Sequence, residues 1–233
     1  MDDAAETVLA IDNLGFRWPD SPPLLSISDF RLERGERVFV HGPSGSGKTT
    51  LLSLVAGMEL ATSGTISILG QSLAELGPGA RDRLRGDEIG YVFQQFNLVP
   101  YLSVLDNALL PLSFSRARRE RMVSTPPAEE ARRLLGALGL EEVLYGRLPE
   151  ALSVGQQQRV AVARALMGSP SLLICDEPTS ALDADARDDF MTLLLEQCAA
   201  SSAALLFVSH DRTLERHFSR TLALGVTASV AAS

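Results

Sequence analysis

The run Gly42-Pro43-Ser44-Gly45-Ser46-Gly47-Lys48-Thr49 has the spacing G-x-x-x-x-G-K-[ST], which suits the binding of phosphate groups. Its glycines let backbone N–H groups surround the β- and γ-phosphates of a nucleotide, and a following helix adds the partial positive charge of its N-terminus. Lys48 supplies a compact cation, and the Thr49 hydroxyl can ligate a magnesium ion. The context agrees, because apolar Val38–Val40 precedes the loop and Thr50–Ala56 reads as the helix after it. Lys48 is also the only lysine in a chain that otherwise uses arginine, twenty times. A planar guanidinium is too broad for a narrow ring of amides, whereas an ammonium on a flexible stem fits.

Leu172-Leu173-Ile174-Cys175-Asp176-Glu177 ends an apolar run in two acids. Both carboxylates then sit at the C-terminal edge of a buried strand, where open α/β sheets bind ligands. Asp176 is expected to hold the magnesium shell, and Glu177 to polarise the attacking water as general base. His210, after the run Leu205–Ser209, can contact the γ-phosphate and position Glu177 or water. Gln94 ends Ile89–Phe93 and offers a neutral amide to metal and water. Taken singly, the acids are a solvated strand end, the histidine a structural residue and the glutamine a turn residue; the phosphate loop gives them their chemical meaning.

These groups need a scaffold that gathers strand ends. Short apolar or β-branched runs recur at Val8–Ile11, Arg37–His41, Gly64–Leu69, Ile89–Phe93, Leu172–Cys175 and Leu205–Ser209, alternating with longer helical segments, which is an α/β pattern. Val38–Val40, Leu172–Cys175 and Leu205–Val208 are apolar throughout, as central parallel strands covered on both faces must be. Turn residues such as Pro19-Asp20-Ser21-Pro22-Pro23 separate the early runs and predict an antiparallel flank. From about Phe96 to Met167 the strand signal disappears. Ala128–Leu138 and Gln156–Met167 read as helices there, so a mainly helical insertion is expected. Ser113–Pro127 is its expected exposed segment, with Arg116, Arg118, Arg119 and Arg121 on a solvated helix face.

A length of 233 residues with 45% hydrophobic content supports a large core. The net charge of −8 disfavours a nucleic-acid partner, which would select a basic face. Cys175 in an apolar run and Cys198 after a helix form no disulfide framework, so a reducing cytosol is expected. The acidic Met1–Glu6 lacks the basic-then-apolar order of a secretory signal. The uncharged stretch Gln197 to His210 is shorter than the ~20 apolar residues of a bilayer span.

Leu152-Ser153-Val154-Gly155-Gln156, directly ahead of Gln157-Gln158-Arg159-Val160-Ala161-Val162-Ala163-Arg164-Ala165-Leu166, resembles the signature of the ABC ATPases. The resemblance covers nearly the whole chain. It implies nucleotide contacts along Gly42–Thr49 and Thr50, a Q-loop at Gln94, a magnesium carboxylate at Asp176, catalytic Glu177, a D-loop at Ser180-Ala181-Leu182-Asp183 and a switch histidine at His210. In this family Ser153, Gly155 and Gln156 face ATP held by a second subunit's loop, so two domains close head-to-tail around two nucleotides. The physics suits that role, because Ser153 can cap its helix and form a second anion site with the Gly155 amide. Trp18 occupies the approximate place of the family's adenine-stacking ring, with Phe16 as the neighbouring candidate. Val92–Leu102 is similar to the branch serving lipoprotein release and macrolide export, in which Phe96, Leu98 and Tyr101 would line an apolar groove for membrane subunits. The sequence departs from the pattern at Val154, where glycine is commonest and a branched side chain crowds the phosphate, and at Leu222–Ser229, which lacks the usual Asp-Gly turn and predicts a poorly ordered tail.

The expected fold is α/β, a P-loop NTPase core with a mainly parallel sheet, an N-terminal antiparallel β flank and a helical subdomain insertion. The expected organisation is one nucleotide-binding domain over 1–233, with the helical subdomain at about 96–168 and a flexible tail at about 226–233. The expected function is the ATP-hydrolysing subunit of an ABC transporter, using ATP and Mg2+, as a homodimer with transmembrane permease subunits at the inner face of the cell membrane. The alternative is a division-type ABC ATPase that regulates a membrane partner without moving a solute. A metabolite kinase using the same loop is opposed by the signature and by Asp176-Glu177.

Overall fold

Leu9 and Ile11 are buried on either side of the more exposed Ala10 in the first strand, and after Asn13 the buried positions shift to Leu14 and Phe16. Asn13 makes the switch by adopting φ 49°, a left-handed conformation that asparagine tolerates. The computed structural model describes residues 6–225. In chain order its elements are β1 (Thr7–Phe16), β2 (Leu25–Glu33), β3 (Arg37–His41), α1 (Lys48–Val55), β4 (Ser63–Ile68), β5 (Gln71–Ser72), α2 (Pro78–Glu88), β6 (Ile89–Val92), α3 (Val104–Leu109), α4 (Pro111–Phe114), α5 (Arg116–Glu120), α6 (Pro127–Ala137), α7 (Val154–Leu166), β7 (Leu172–Asp176), α8 (Ala184–Ser201), β8 (Ala204–Val208) and β9 (Arg220–Ala223). They fall into two compact units, one formed by the chain up to Arg85 together with the chain from Ala204 onward, the other by Gly86–Ala203.

In the first unit, β2-β1-β4-β5 make the antiparallel flank, with Leu14 opposite Ile27 and Ile11 opposite both Phe30 and Ile66. Parallel strands β8, β3 and β9 make the other sheet component, with Val40 beside Val208 and His41 beside Ala223. Phe39 stacks on Phe207 at 6.3 Å and meets Phe218 at 5.3 Å, so the parallel strands enclose an aromatic core. The continuous apolar runs of β3 and β8 are buried along their lengths, as strands covered on both faces require.

In the second unit, β6 pairs in parallel with β7, Val92 lying beside Cys175. Helix α7 packs on β6 and on α3, α6 and α8. Its close approach needs Gly90, where a Cβ would come within 2.3 Å of the Ala165 carbonyl oxygen. No strand occurs from Phe96 to Met167.

Three expectations change. The segment Ser113–Pro127 is not uniformly exposed: Arg118 is 2% accessible and Ser115 is buried. The Arg118 guanidinium donates to the carbonyl oxygens of Gly86, Ile89, Ala165 and Met167 at 2.7–3.2 Å. Burial brings its pKa down to about 10, so it remains a cation at neutral pH. Arg121 adds bonds to the carbonyls of Asp87 and Ser169 and to the Glu88 carboxylate. Cys198 lies inside α8 rather than after a helix, and is buried. Near the C-terminus, Leu222 and Leu224 are buried and Arg220–Ala223 forms strand β9, while residues 226–233 of the expected tail lie outside the described residues.

Candidate functional site

Parallel register fixes where the first group of side chains emerges. Val40 and Val208 are neighbours, so the loop beginning at Gly42 and the Ser209-His210 turn leave the same edge of β3 and β8. Gly45 and Gly47 adopt φ 77° and 90°, which only glycine takes up readily, and Gly47 leads directly into α1. A Cβ at Gly47 would lie 2.8 Å from Leu25 Cδ2, and one at Gly42 would lie 2.5 Å from both Ser46 Oγ and the Leu224 carbonyl. The loop is therefore packed tightly from behind and open at Gly45, where a Cβ would meet nothing within 4 Å. Helix α1 begins with no side-chain cap and no acidic residue in its first turn, leaving its N-terminal amides and dipole uncompensated. The Lys48 ammonium donates to the carbonyls of Gly42 and Pro43 at 2.9 and 3.1 Å, folded back over its own loop. The buried Ser46 hydroxyl has no hydrogen-bond partner. Such a loop is an anion cradle.

The packing of Leu24 and Leu25 behind Gly47 brings the start of β2, and the turn that carries Trp18, to the phosphate loop. Phe16 is 6% exposed and packs edge-on against Trp18 at 5.0 Å; Trp18 is 41% exposed. Of the two rings, Trp18 alone offers a free face. His210 lines a cavity of about 210 Å³ with His41, Gly42, Pro43 and Arg212. His41 and Arg212 were not singled out from the sequence, although a histidine directly before Gly42 is the available signal. Burial, reinforced by the Arg212 charge, lowers the His41 pKa, so its imidazole is neutral at physiological pH.

The second group of side chains shares an edge of the second unit. Val92 and Cys175 are side by side, so Gln94 and Asp176-Glu177 follow β6 and β7 at the same end. Asp176 is buried at the strand end, while Gln94 is exposed. Glu177 adopts φ 47°, although it is not glycine and precedes Pro178, a residue that normally forces its predecessor into extended backbone. Backbone strain of this kind, of order 1–3 kcal/mol, persists where the surrounding structure holds a functional side chain in place. Tyr91 stacks on Phe93 at 4.2 Å, and burial, with the Asp176 charge added, raises its phenol pKa well above the ordinary value. The Cys175 thiol is likewise pushed up by burial, which leaves it protonated and unsuited to metal ligation or nucleophilic attack.

Ser153 caps α7 through a reciprocal box: Gln156 N–H donates to Ser153 Oγ at 3.3 Å, and Ser153 N–H donates to Gln156 Oε1 at 2.9 Å. The Gln156 side chain is therefore engaged in the cap. Val154 stands 46% exposed at the same helix start. A Cβ at Gly155 would make only an ordinary 3.6 Å contact with Leu182, so nothing within the chain demands glycine there. Asp183 of the expected D-loop caps α8 by accepting from Ala186 N–H at 2.9 Å. In the groove expectation, Phe96 proves buried, Leu98 is half-buried and Tyr101 is 79% exposed, so Phe96 cannot line a surface groove.

A family profile described as ABC transporter matches residues 25–180, which contain the phosphate loop, the α7 signature and the Asp176-Glu177 pair. The chain belongs to the ABC transporter family. As an ABC ATPase it is the ATP-binding, ATP-hydrolysing subunit of a transporter. It is 38% identical over 226 residues to the lipoprotein-releasing system ATP-binding protein LolD of Pseudomonas fluorescens, covering 94% of this chain and 95% of the relative. It is 37% identical over 219 residues to the LolD protein of Hydrogenovibrio crunogenus, covering 93% of each. Among solved structures it is similar to the dimeric bacterial ABC transporter cassette MJ0796, with a TM-score of 0.80, 33% identity and coverage of 94% and 95%. A post-hydrolysis dimer of MJ0796 bound to ADP and phosphate gives a TM-score of 0.82 at 32% identity, covering 97% of each chain. These similarities match the lipoprotein-release branch that Val92–Leu102 resembles, and they support the P-loop NTPase fold.

Proposed function

We propose that the chain acts as one nucleotide-binding domain, with its helical subdomain at about 96–168, and that two copies close head-to-tail around two Mg-ATP. The observation that carries this reading is the phosphate loop: left-handed Gly45 and Gly47, an uncompensated α1 N-terminus, and a single lysine poised on the loop's own carbonyls. Residues Gly42–Thr49 and Thr50 hold the phosphates, and Trp18 offers its face to adenine. Thr49, Gln94 and Asp176 supply only oxygen donors for a metal, the donor set of a hard cation. Hard cations such as magnesium are commonly bound by one or two protein oxygens together with substrate phosphates, and the proposed site is of that kind. A bound magnesium ion would neutralise charge on the β- and γ-phosphates.

Glu177 orients and deprotonates water, His210 contacts the γ-phosphate, and Ser153, Gly155 and Gln156 of the second copy complete the anion site. For Gln156 this role requires its capping bond to be shared or released. Among the described residues no helix is long and apolar enough to cross a membrane. In this reading the permease subunits carry the passage and the specificity, and this subunit sits at the inner face of the membrane. The LolD relatives support a partner of the lipoprotein-releasing kind.

Phosphate release tests the reading directly. Glu177→Gln retains ATP binding and loses turnover by about 100-fold or more. Stoichiometric transfer of the phosphate to a metabolite would overturn the assignment.

A further inference from the structure

Phe96 and Asn97, which follow Gln94 by two and three residues, both stand in the left-handed region, at φ 56° and 48°. Asparagine tolerates this conformation, but a phenylalanine there is an outlier that its surroundings must hold. One guanidinium does so. Arg164 donates from Nη2 to the Phe96 carbonyl and from Nη1 to the Asn97 carbonyl, each at 2.6 Å. The turn is closed on its other side by Phe96 N–H to the Phe93 carbonyl at 3.0 Å and Asn97 N–H to the Gln95 carbonyl at 2.6 Å. The residues bracketing Gln94 are therefore pinned, while Gln94 itself is exposed.

Arg164 lies in the last turn of α7, the helix whose N-terminal cap is Ser153. Burial lowers its pKa, consistent with a guanidinium drawn away from water to serve these carbonyls. The two short bonds come from separate terminal nitrogens of one planar head, a fork that lysine, with a single nitrogen on a shorter side chain, does not match in geometry.

We propose that Arg164 is a positioning residue for ATP hydrolysis: it clamps the Phe96–Asn97 turn so that Gln94 keeps its place at the end of β6, and it ties that place to the helix headed by Ser153 and Gly155. The inference rests on the assignment of Gln94 to metal and water. In a closed dimer, one rigid helix of 13 residues, about 20 Å long, then links the chain's own nucleotide to the one held by its partner. A shift of α7 at its capped end moves the Gln94 turn at the other.

The test is a double-mutant cycle in the full chain, read by steady-state phosphate release and by thermal melting. Arg164→Lys lowers kcat about tenfold while the KM for ATP stays within about twofold and the melting temperature is nearly unchanged. Placed in a Gln94→Ala background, Arg164→Lys causes no further loss, because both changes act through the same side chain. Losses that multiply in the double variant overturn the proposal, as does an Arg164→Lys chain that is fully active or fails to fold. If Gln94→Ala alone leaves kcat unchanged, the Gln94 assignment falls and the clamp falls with it. A slow Gln94→Ala beside an independent Arg164→Lys defeats the clamp only.

Discussion

Lys48 is the one place where the chain uses lysine instead of arginine, and the loop supplies the reason. The ammonium reaches two carbonyls of a loop that Gly42 and Gly47 let pack closely from behind. Lys48→Arg should therefore weaken ATP binding by about tenfold or more despite preserving charge, a loss comparable to that of a charge-assisted hydrogen bond. Titration with a fluorescent ATP analogue measures it, and wild-type affinity in Lys48→Arg would contradict the steric account. Trp18 offers a second check. As the only tryptophan it reports on its own environment, so ATP should change the protein's intrinsic fluorescence, and Trp18→Ala should weaken binding about tenfold. No change on either count would exclude Trp18 as the adenine platform.

At the scale of elements, the parallel strands were legible because burial on both faces writes an unbroken apolar run, as in Val38–Val40, Leu172–Cys175 and Leu205–Val208. Strand β2 was not legible: Leu25 and Ile27 are followed by Phe30 and Leu32, and the slip at Ser28-Asp29 breaks the period of two. The phosphate loop, the acids and the α7 cap could be read because their chemistry is local in sequence. Arg118 could not, since its partners at Gly86, Ile89, Ala165 and Met167 come from distant segments and an arginine-rich stretch ordinarily signals a solvated face. Removing that side chain leaves buried carbonyls unpaired. Arg118→Ala should destabilise the protein by about 3–5 kcal/mol and lower the melting temperature by about 10 °C, with Arg118→Lys restoring only part. An unchanged melting curve would show that the carbonyls find other partners.

For the whole molecule, the proposed head-to-tail dimer gives the candidate site residues their roles. Ser153 caps α7, and Gly155 beside it has no steric reason within the chain to be glycine. In the proposed closed dimer, that choice leaves room for a phosphate held by the second copy. The half-exposed Val154 stands at the same helix start, which makes the proposed closure the step most open to tuning. The most direct test is the mass of Glu177→Gln in saturating Mg-ATP, measured by light scattering. A composite site gives a species of twice the 25.0 kDa chain that reverts to monomer when nucleotide is removed. A Glu177→Gln chain that binds ATP fully and remains at 25.0 kDa would contradict the composite site.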